Sequence, residues 1–413
     1  MMNALFESAL GIKAPWHIRN LQFDEAQRTL VIEIDFIRGT RFPYPGIEEL
    51  LPVHDTQTKR YRHLNFFQHE CFLEVRVPRL KLPDGTVKLY DPEWSGKLSG
   101  FTLLFEALVL LLAQHSTFQS TAELLGISWH RVHAICERYV DMALEKTDLS
   151  DVRKIAVDET SCRKGHDYLT LVADMEKRRV AFVTEGKDAT TLDAFSADLV
   201  QHGGHPEQIT TVSIDMSPAF IKGVGTALPN AEITFDKFHV IAHASHALDQ
   251  TRRLEQKGDP SLKGLRWPLL KDSGNLTVAQ LAERGAFFAA RPSACTTRAW
   301  SYREQLRVIL DRKQVNVLDR ELRAWCNGVM RSKVDEMKRV AKMIRKHHDG
   351  IVAWARSRQT NGFIEALNGL FQAAKRKARG YGRFQTMRTV IFLLAGKLDF
   401  TAINPHAKRA HAS

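Results

Sequence analysis

In RTLVIEIDF, Leu30, Ile32, Ile34 and Phe36 alternate with Val31, Glu33 and Asp35, the two-residue period of a half-buried strand. With HIRNLQF before it and the polar DEAQ between, residues 17–36 predict a hairpin. Residues 40–98 continue in short extended runs such as CFLEVRVPRLKL, broken by Pro and Gly, so residues 1–98 predict a small β-rich module. From residue 100 the period becomes helical. FTLLFEALVLLLA (101–113) is too short to span a bilayer and carries Glu106, which predicts a buried helix. In STAELLGISWHRVHAICERYV, Gly126 stops one short helix and Ser128 caps the next. Val132, Ile135, Cys136 and Val140 share one face of that second helix, leaving His130, Arg131, His133 and Arg138 nearer solvent. The spacing over 99–150 fits a helix-turn-helix whose second helix enters a DNA major groove, and fits an ordinary helical hairpin equally well.

The period changes again at 152. KIAVDE predicts a strand, and DYLTLVADMEKRRVAFVTEG a hairpin across MEKR. LDAFSADLVQHGG reads as a helix, ITTVSID as a strand, SPAFIKGVGTALP as a helix and AEITFDKFH as a strand. Three strands, a helix, a strand, a helix and a fifth strand are the order of an RNase H-like α/β domain, beginning in residues 151–240. Residues 241–355 hold no strand run and read as a large all-α insertion carrying Trp267, Trp300 and Trp325. Helix resumes at 361, so residues 356–400 complete the core and 401–413 form a basic tail.

Charge narrows the partner. The 413 residues carry a formal net charge of +12. The excess gathers in RSKVDEMKRVAKMIRKHH (331–348), in AAKRKARGYGR (373–383) and at the carboxyl end, which favours a polyanion over mere solubility. The 331–348 helix sets Val334, Met337, Val340 or Ala341, and Ile344 on one face. Arg331, Lys338, Arg339, Lys342, Arg345 and Lys346 lie on the other, as a DNA-docking face or a solvated one. The five cysteines (71, 136, 162, 295 and 326) form no CxxC pair, and the first twenty residues lack the pattern of a secretory leader. Both features predict a reduced, cytoplasmic protein with no membrane partner.

Three acids punctuate these elements. Asp158 (KIAVDET) and Asp215 (TVSIDMSPAF) each close an apolar strand, and Glu365 (QTNGFIEALNGL) lies on a helix with a basic end. In an RNase H-like sheet the first and fourth strands are parallel neighbours about 4.8 Å apart, so aspartates at the same ends face each other. Carboxylates so gathered repel unless a cation joins them, and two metal ions between them activate an attacking oxygen and stabilise a leaving one. Mg²⁺, or Mn²⁺, suits such a site. On the Glu365 helix Asn361, Asn368, Gln372 and Arg379 share roughly one face, with Lys375 and Arg376 beside it. This face predicts contact with metal and phosphate. Asp236 and His239 form a D-x-x-H pair after the fifth strand, which orients the insertion, touches DNA or caps a helix. Glu159 faces the other side of its strand.

On these residues the chain resembles bacterial insertion-sequence transposases of the ISL type, a DDE family. The resemblance runs over nearly the whole length, through YRHLNF, LEVRVPRLKLP, LLGISWHRV, AVDET, SIDMSPAF and FDKFHV, and is most specific in TNGFIEALNGLFQAAKRKARGYGRF. It implies that Asp158, Asp215 and Glu365 form the catalytic, metal-binding triad. It also implies recognition of terminal inverted repeats, partly through Ser128, His130, Arg131 and His133, with strand cleavage and transfer into target DNA. Pairing two element ends implies at least a dimer, associated with the nucleoid when DNA-bound. One departure stands out. The family carries zinc knuckles of CPxCG type where this chain has FPYPG (42–46) and LPDGT (82–86) without cysteine. Packing of Phe42, Tyr44 and Leu82 is expected to replace the metal, so no zinc is predicted. A non-catalytic DNA-binding derivative, or a nuclease of the same fold that cleaves without joining, remains open at this stage.

Overall fold

The computed structural model describes residues 2–161, 168–359 and 362–407. The chain forms two compact units, residues 1–147 with 373–413, and residues 148–372. No helix among the described residues is long and apolar enough to cross a membrane.

The first unit begins with α1 (Met2–Leu10), β1 (Trp16–Asp24), β2 (Thr29–Phe36), β3 (Arg41–Tyr44), β4 (Ile47–Phe66), β5 (His69–Lys81) and β6 (Val87–Leu89). The expected hairpin is present: β1 and β2 pair antiparallel, Trp16 opposite Phe36. The strands run in the order β1-β2-β5-β4-β3, with β6 on β5. Strict alternation sends Leu30, Ile32 and Ile34 inward onto Leu73, Val75 and Val77. A second cluster joins Phe36, Phe42, Leu51 and Leu80, with Tyr44 and Leu82 packed against it. Apolar packing thus links the FPYPG and LPDGT segments, as expected from the missing thiolates.

Next come α2 (Leu103–His115), α3 (Phe118–Leu125) and α4 (Trp129–Leu144). α3 ends at Gly126, whose φ of +63° only glycine adopts without cost. The Ser128 hydroxyl then caps α4 by accepting from Arg131 N at 3.4 Å. Beneath them Glu106 is fully buried and accepts from Lys97 N (2.8 Å), Leu98 N (2.7 Å) and the Tyr139 hydroxyl (2.7 Å). Burial pushes its carboxyl above the ordinary range despite these donors.

The second unit opens with β7 (Lys154–Ser161), β8 (Tyr168–Asp174), β9 (Arg179–Glu185), α5 (Thr190–Gln201), β10 (Thr211–Ile214), α6 (Pro218–Ala227) and β11 (Glu232–Phe235). The sheet order is β11-β10-β7-β8-β9. β7, β8 and β9 pair antiparallel, while β10 lies parallel to both β7 and β11. Every later regular element described is helical: α7 (Lys237–Glu255), α8 (Arg266–Leu270), α9 (Val278–Ala290), α10 (Cys295–Asp311), α11 (Val315–Met330), α12 (Asp335–Lys346), α13 (His348–Ser357), α14 (Gly362–Lys377) and α15 (Phe384–Ala395). The strand read through His239 stops at Phe235, because the buried Asp236 carboxylate accepts from Phe238 N at 2.9 Å and starts α7. The helix read over 331–348 begins only after Val334, a buried N-cap, and breaks at His347. Past Gln372 the chain groups with the first unit, where Asn404 Nδ2 donates to Leu103 O (2.8 Å) and the Tyr139 hydroxyl (3.0 Å).

Candidate active site

Ile155, Ala156 and Val157 on β7 and Val212, Ser213 and Ile214 on β10 are all buried, as central strands covered on both faces must be. The first residues beyond these runs that water reaches are acids. Ser213 of β10 pairs with Ala156 of β7. Two residues beyond this last pair, Asp215 and Asp158 leave neighbouring parallel strands at the same end of the sheet, and the charge of Asp215 acts on Asp158. Asp158 is half-buried, with Oδ1 accepting from Glu159 N at 2.8 Å and Oδ2 from Asn368 Nδ2 at 2.7 Å. Asp215 Oδ1 accepts from Ser217 N at 2.9 Å, at the start of α6.

α14 runs beside the exit of β7. Gln372 Nε2 donates to Thr160 Oγ1 (2.9 Å) and Ser161 O (3.3 Å), one turn beyond the Asn368 contact. Glu365 is exposed, one turn before Asn368 on the same side of the helix. Asn368 Oδ1 is buried with no hydrogen-bond partner among the described residues. On α7, the charge of His239 favours ionised Asp158, and His243, one turn later, lies in the field of Asp215. His243 belongs to this neighbourhood although the sequence reading passed over it; its signal is the i, i+4 spacing in FHVIAH.

Burial pushes the Asp158 carboxyl up to about 6. The Glu159 N–H and His239 oppose that rise, and Asp215 and Glu159 add to it. Among the described residues, no three His, Cys, Asp or Glu side chains converge closely enough to cage a metal ion. The arrangement is therefore an adjacent aspartate pair with Glu365 standing on the helix alongside. Its donors are hard oxygens, the half-buried Asp158 carboxylate stands in the like-charge field of Asp215, and one amide oxygen beside it has no hydrogen-bond partner among the described residues. All three features fit a hard divalent cation such as Mg²⁺.

The other expected contacts scatter. Ser128, His130 and Arg131 are exposed at the start of α4, while His133 is half-buried and stacked on Trp129 at 5.4 Å. The Arg131 guanidinium lies over Phe101 and donates to Ser99 O at 3.2 Å. Arg376 is exposed and Lys375 half-buried in the last turn of α14; Arg379, also exposed, follows at φ +58°. Asn361 lies outside the described residues.

Comparison with known proteins identifies the family. A family model described as transposase, the DDE model of the ISL3 group, matches residues 155–391. A second, described as the helix-turn-helix domain of transposase family ISL3, matches residues 91–140. The transposase for insertion sequence element IS1001 of Bordetella parapertussis is 26% identical over 338 residues, covering 80% of this chain and 82% of its own. The transposase for insertion sequence element IS1557 of Mycobacterium tuberculosis (strain CDC 1551 / Oshkosh) is 29% identical over 371 residues, covering 82% of each. With more than half of its length matched, the chain belongs to the ISL3 family of DDE-type insertion-sequence transposases.

Proposed function

We propose that Asp158, Asp215 and Glu365 are the acids with which this DNA transposase cuts and joins its element ends, on an RNase H-like core interrupted by the helices of residues 241–355. The observation that carries the reading is the β7–β10 register, which brings Asp158 and Asp215 to the same end of the sheet, together with the Asn368 bond that ties the Glu365 helix to Asp158. Asp158 and Asp215 would hold a divalent cation, Mg²⁺ or Mn²⁺, with Glu365 completing the set. When bound, such a cation activates an oxygen nucleophile and stabilises the leaving oxygen of a phosphodiester. The protein's own part is to fix the pair on rigid strands, to orient Asp158 through Glu159 N–H and Asn368, and to hold α14 against β7 through Gln372. Exposed Arg376 and Arg379 meet backbone phosphates, and α4 with Ser128, His130, Arg131 and His133 reads the terminal inverted repeats. Asp236 acts by starting α7 and so aiming His239 at the site. The protein works in the cytoplasm on nucleoid DNA, at least as a dimer on paired ends, and its N-terminal module needs no zinc.

A supercoiled plasmid bearing the element ends tests this reading. Mg²⁺-dependent cleavage and joining lost in each of Asp158→Ala, Asp215→Ala and Glu365→Ala is the expected result. Retention of joining in any of the three would remove that residue from the site. Cleavage without a joined product would instead make the protein a nuclease, and tight binding without cleavage a regulator.

A further inference from the structure

The basic surplus of the chain is confined to its second half. Residues 1–240 hold 26 Lys and Arg against 33 Asp and Glu, residues 241–355 hold 22 against 12, and residues 356–413 hold 11 against 2. Within 241–355, α12 carries five of the 22 Lys and Arg on twelve residues. α12 buries Met337, Val340, Ala341 and Ile344 and leaves Arg339, Lys342, Arg345 and Lys346 exposed. At its start the cations are neutralised, Lys338 by Asp335 (2.9 Å) and Arg339 by Glu336 (2.7 Å). Toward its end they are not. Arg345 donates to the neutral Asn327 amide at 2.7 Å, and neither Lys342 nor Lys346 has an ion-pair partner among the described residues.

That unneutralised end is two steps from the aspartate pair, through α7 and its His243, which lies in the field of Asp215. α12 packs on α7, the helix carrying His239 and His243. His347, next after Lys346, lies in the fields of both Lys346 and His243. Its ring meets Phe235, the last residue of β11, at 5.2 Å, and Gly350 brings the start of α13 onto the same ring. An open groove of about 620 Å³ continues from Lys346 past His347 to Lys222, with Asp349 on its wall and Arg356 paired to Glu232 at 3.2 Å. Helix-dipole compensation favours cations in a last turn, but Lys342 lies before that turn and the histidines belong to another helix. The unneutralised stretch from Lys342 to Lys346 rises about 6 Å, against one phosphate per 3.4 Å of each DNA strand, so it spans about two phosphates.

We propose that the solvent face of α12, led by Lys342, Arg345 and Lys346, holds the backbone phosphates of the DNA flanking the scissile bond. The assignment rests on Asp158 and Asp215 being the cutting site, and it adds a sequence-independent grip that delivers the strand to them. The contacts are to phosphate, so they contribute affinity and position but no base preference.

The test is binding of the full-length protein to fluorescent duplexes in EDTA over a range of salt concentrations. A Lys342→Gln, Lys346→Gln double variant should lose roughly tenfold in affinity, equally for end-containing and scrambled duplexes. Its log–log salt slope should be shallower by about 2, since each phosphate contact contributes about 0.9. Lys88→Gln, an exposed lysine of the first unit, should match wild type. Hydroxyl-radical footprints of the double variant should lose protection over about two nucleotides beside the cut position. An unchanged slope, loss on the end sequence alone, or lost protection far from the cut would overturn the proposal. Asp158→Ala bound with the wild-type slope in EDTA separates the two ideas. Failure of the acids in the cleavage assay leaves these slopes intact, whereas failure of the lysines leaves cleavage by the acids intact.

Discussion

Replacing the central acid should make the metal-free protein more stable. In the folded state Asp158 titrates at about 6, mainly because of burial, whereas an unfolded aspartate titrates near 4. Below pH 4 both states hold the proton and the group contributes no difference. As pH rises from 4 to 6 the unfolded chain releases its proton first, so the folded state loses stability across that window. Above 6 the loss is constant. A tenfold change in proton affinity is worth about 1.4 kcal/mol, and screening at a half-buried site brings the total to about 2 kcal/mol at neutral pH. Asp158→Asn removes this cost while sparing the local bonding: the new amide oxygen can keep Glu159 N–H, and the unsatisfied Asn368 Oδ1 can turn to accept the new amide N–H. Thermal unfolding in EDTA at pH 7.5 should show the variant melting about 4–8 °C above wild type, with the gap closing toward pH 4.5. Mg²⁺ at ten times its Kd should raise wild type by about 1.4 kcal/mol and leave the variant unmoved, and the variant should not cut DNA. A variant no more stable than wild type at pH 7.5, or a gap that ignores pH, would refute the burial argument.

Other outcomes follow from the same contacts. Asn368→Ala removes a charge-assisted hydrogen bond and should cost about 1.5–3 kcal/mol, with Gln372→Ala adding to it; cleavage should fall while DNA affinity in EDTA holds, and a cleavage rate equal to wild type would place α14 outside the site. Glu106→Ala strands two backbone N–H groups and the Tyr139 hydroxyl, so denaturant titration should find a loss of about 3–5 kcal/mol. Gly96→Ala, whose methyl would lie 2.5 Å from that carboxyl group, should cost about 1–3 kcal/mol by the same titration. Phe42→Ala should destabilise the first unit by about 3–5 kcal/mol, while a zinc chelator leaves its melting unchanged and metal analysis finds no stoichiometric zinc. His130→Ala should lower the preference for end sequence over scrambled DNA at an unchanged salt slope, because a base contact carries specificity and little counterion release.

The parts of the fold legible in the sequence are those where one short pattern settles the matter. The alternation in RTLVIEIDF, the Gly126 stop, the Ser128 cap and the apolar runs KIAV and TVSI each needed only neighbours along the chain. The missed parts depend on distant groups. MNALFESAL forms α1 by docking against β1, with Glu7 accepting from Ile18 N, and nothing within the segment says so. β4 runs from Ile47 to Phe66 through Pro52 and a polar middle because β5 supplies its register, Thr58 opposite Arg76 and Tyr61 opposite Leu73. AEITFDKFH reads as one strand by hydrophobicity, but a single carboxylate at Asp236 ends the strand and begins a helix. The candidate site divides in the same way. Its two aspartates are visible because each interrupts a buried strand. The attachment of α14 through Asn368 and Gln372, and the place of His243, depend on three-dimensional neighbours.

The distribution of charge separates two tasks that a transposase must perform on one DNA. Residues 99–150 carry three basic side chains against six acidic ones, so the helix-turn-helix region adds little to general attraction for a polyanion. Arg131 is already held over Phe101, which narrows its freedom and suits it to a fixed contact rather than a diffuse one. The net basic surplus lies in residues 241–413. With the proposed contacts, the protein binds DNA of any sequence through the solvent face of α12 and chooses the element end through α4. Affinity and choice then respond to different perturbations, salt for the first and base substitution for the second. That separation follows from side-chain chemistry alone: guanidinium and ammonium groups recognise phosphate wherever it occurs, whereas a base edge is read only by a side chain held in one place.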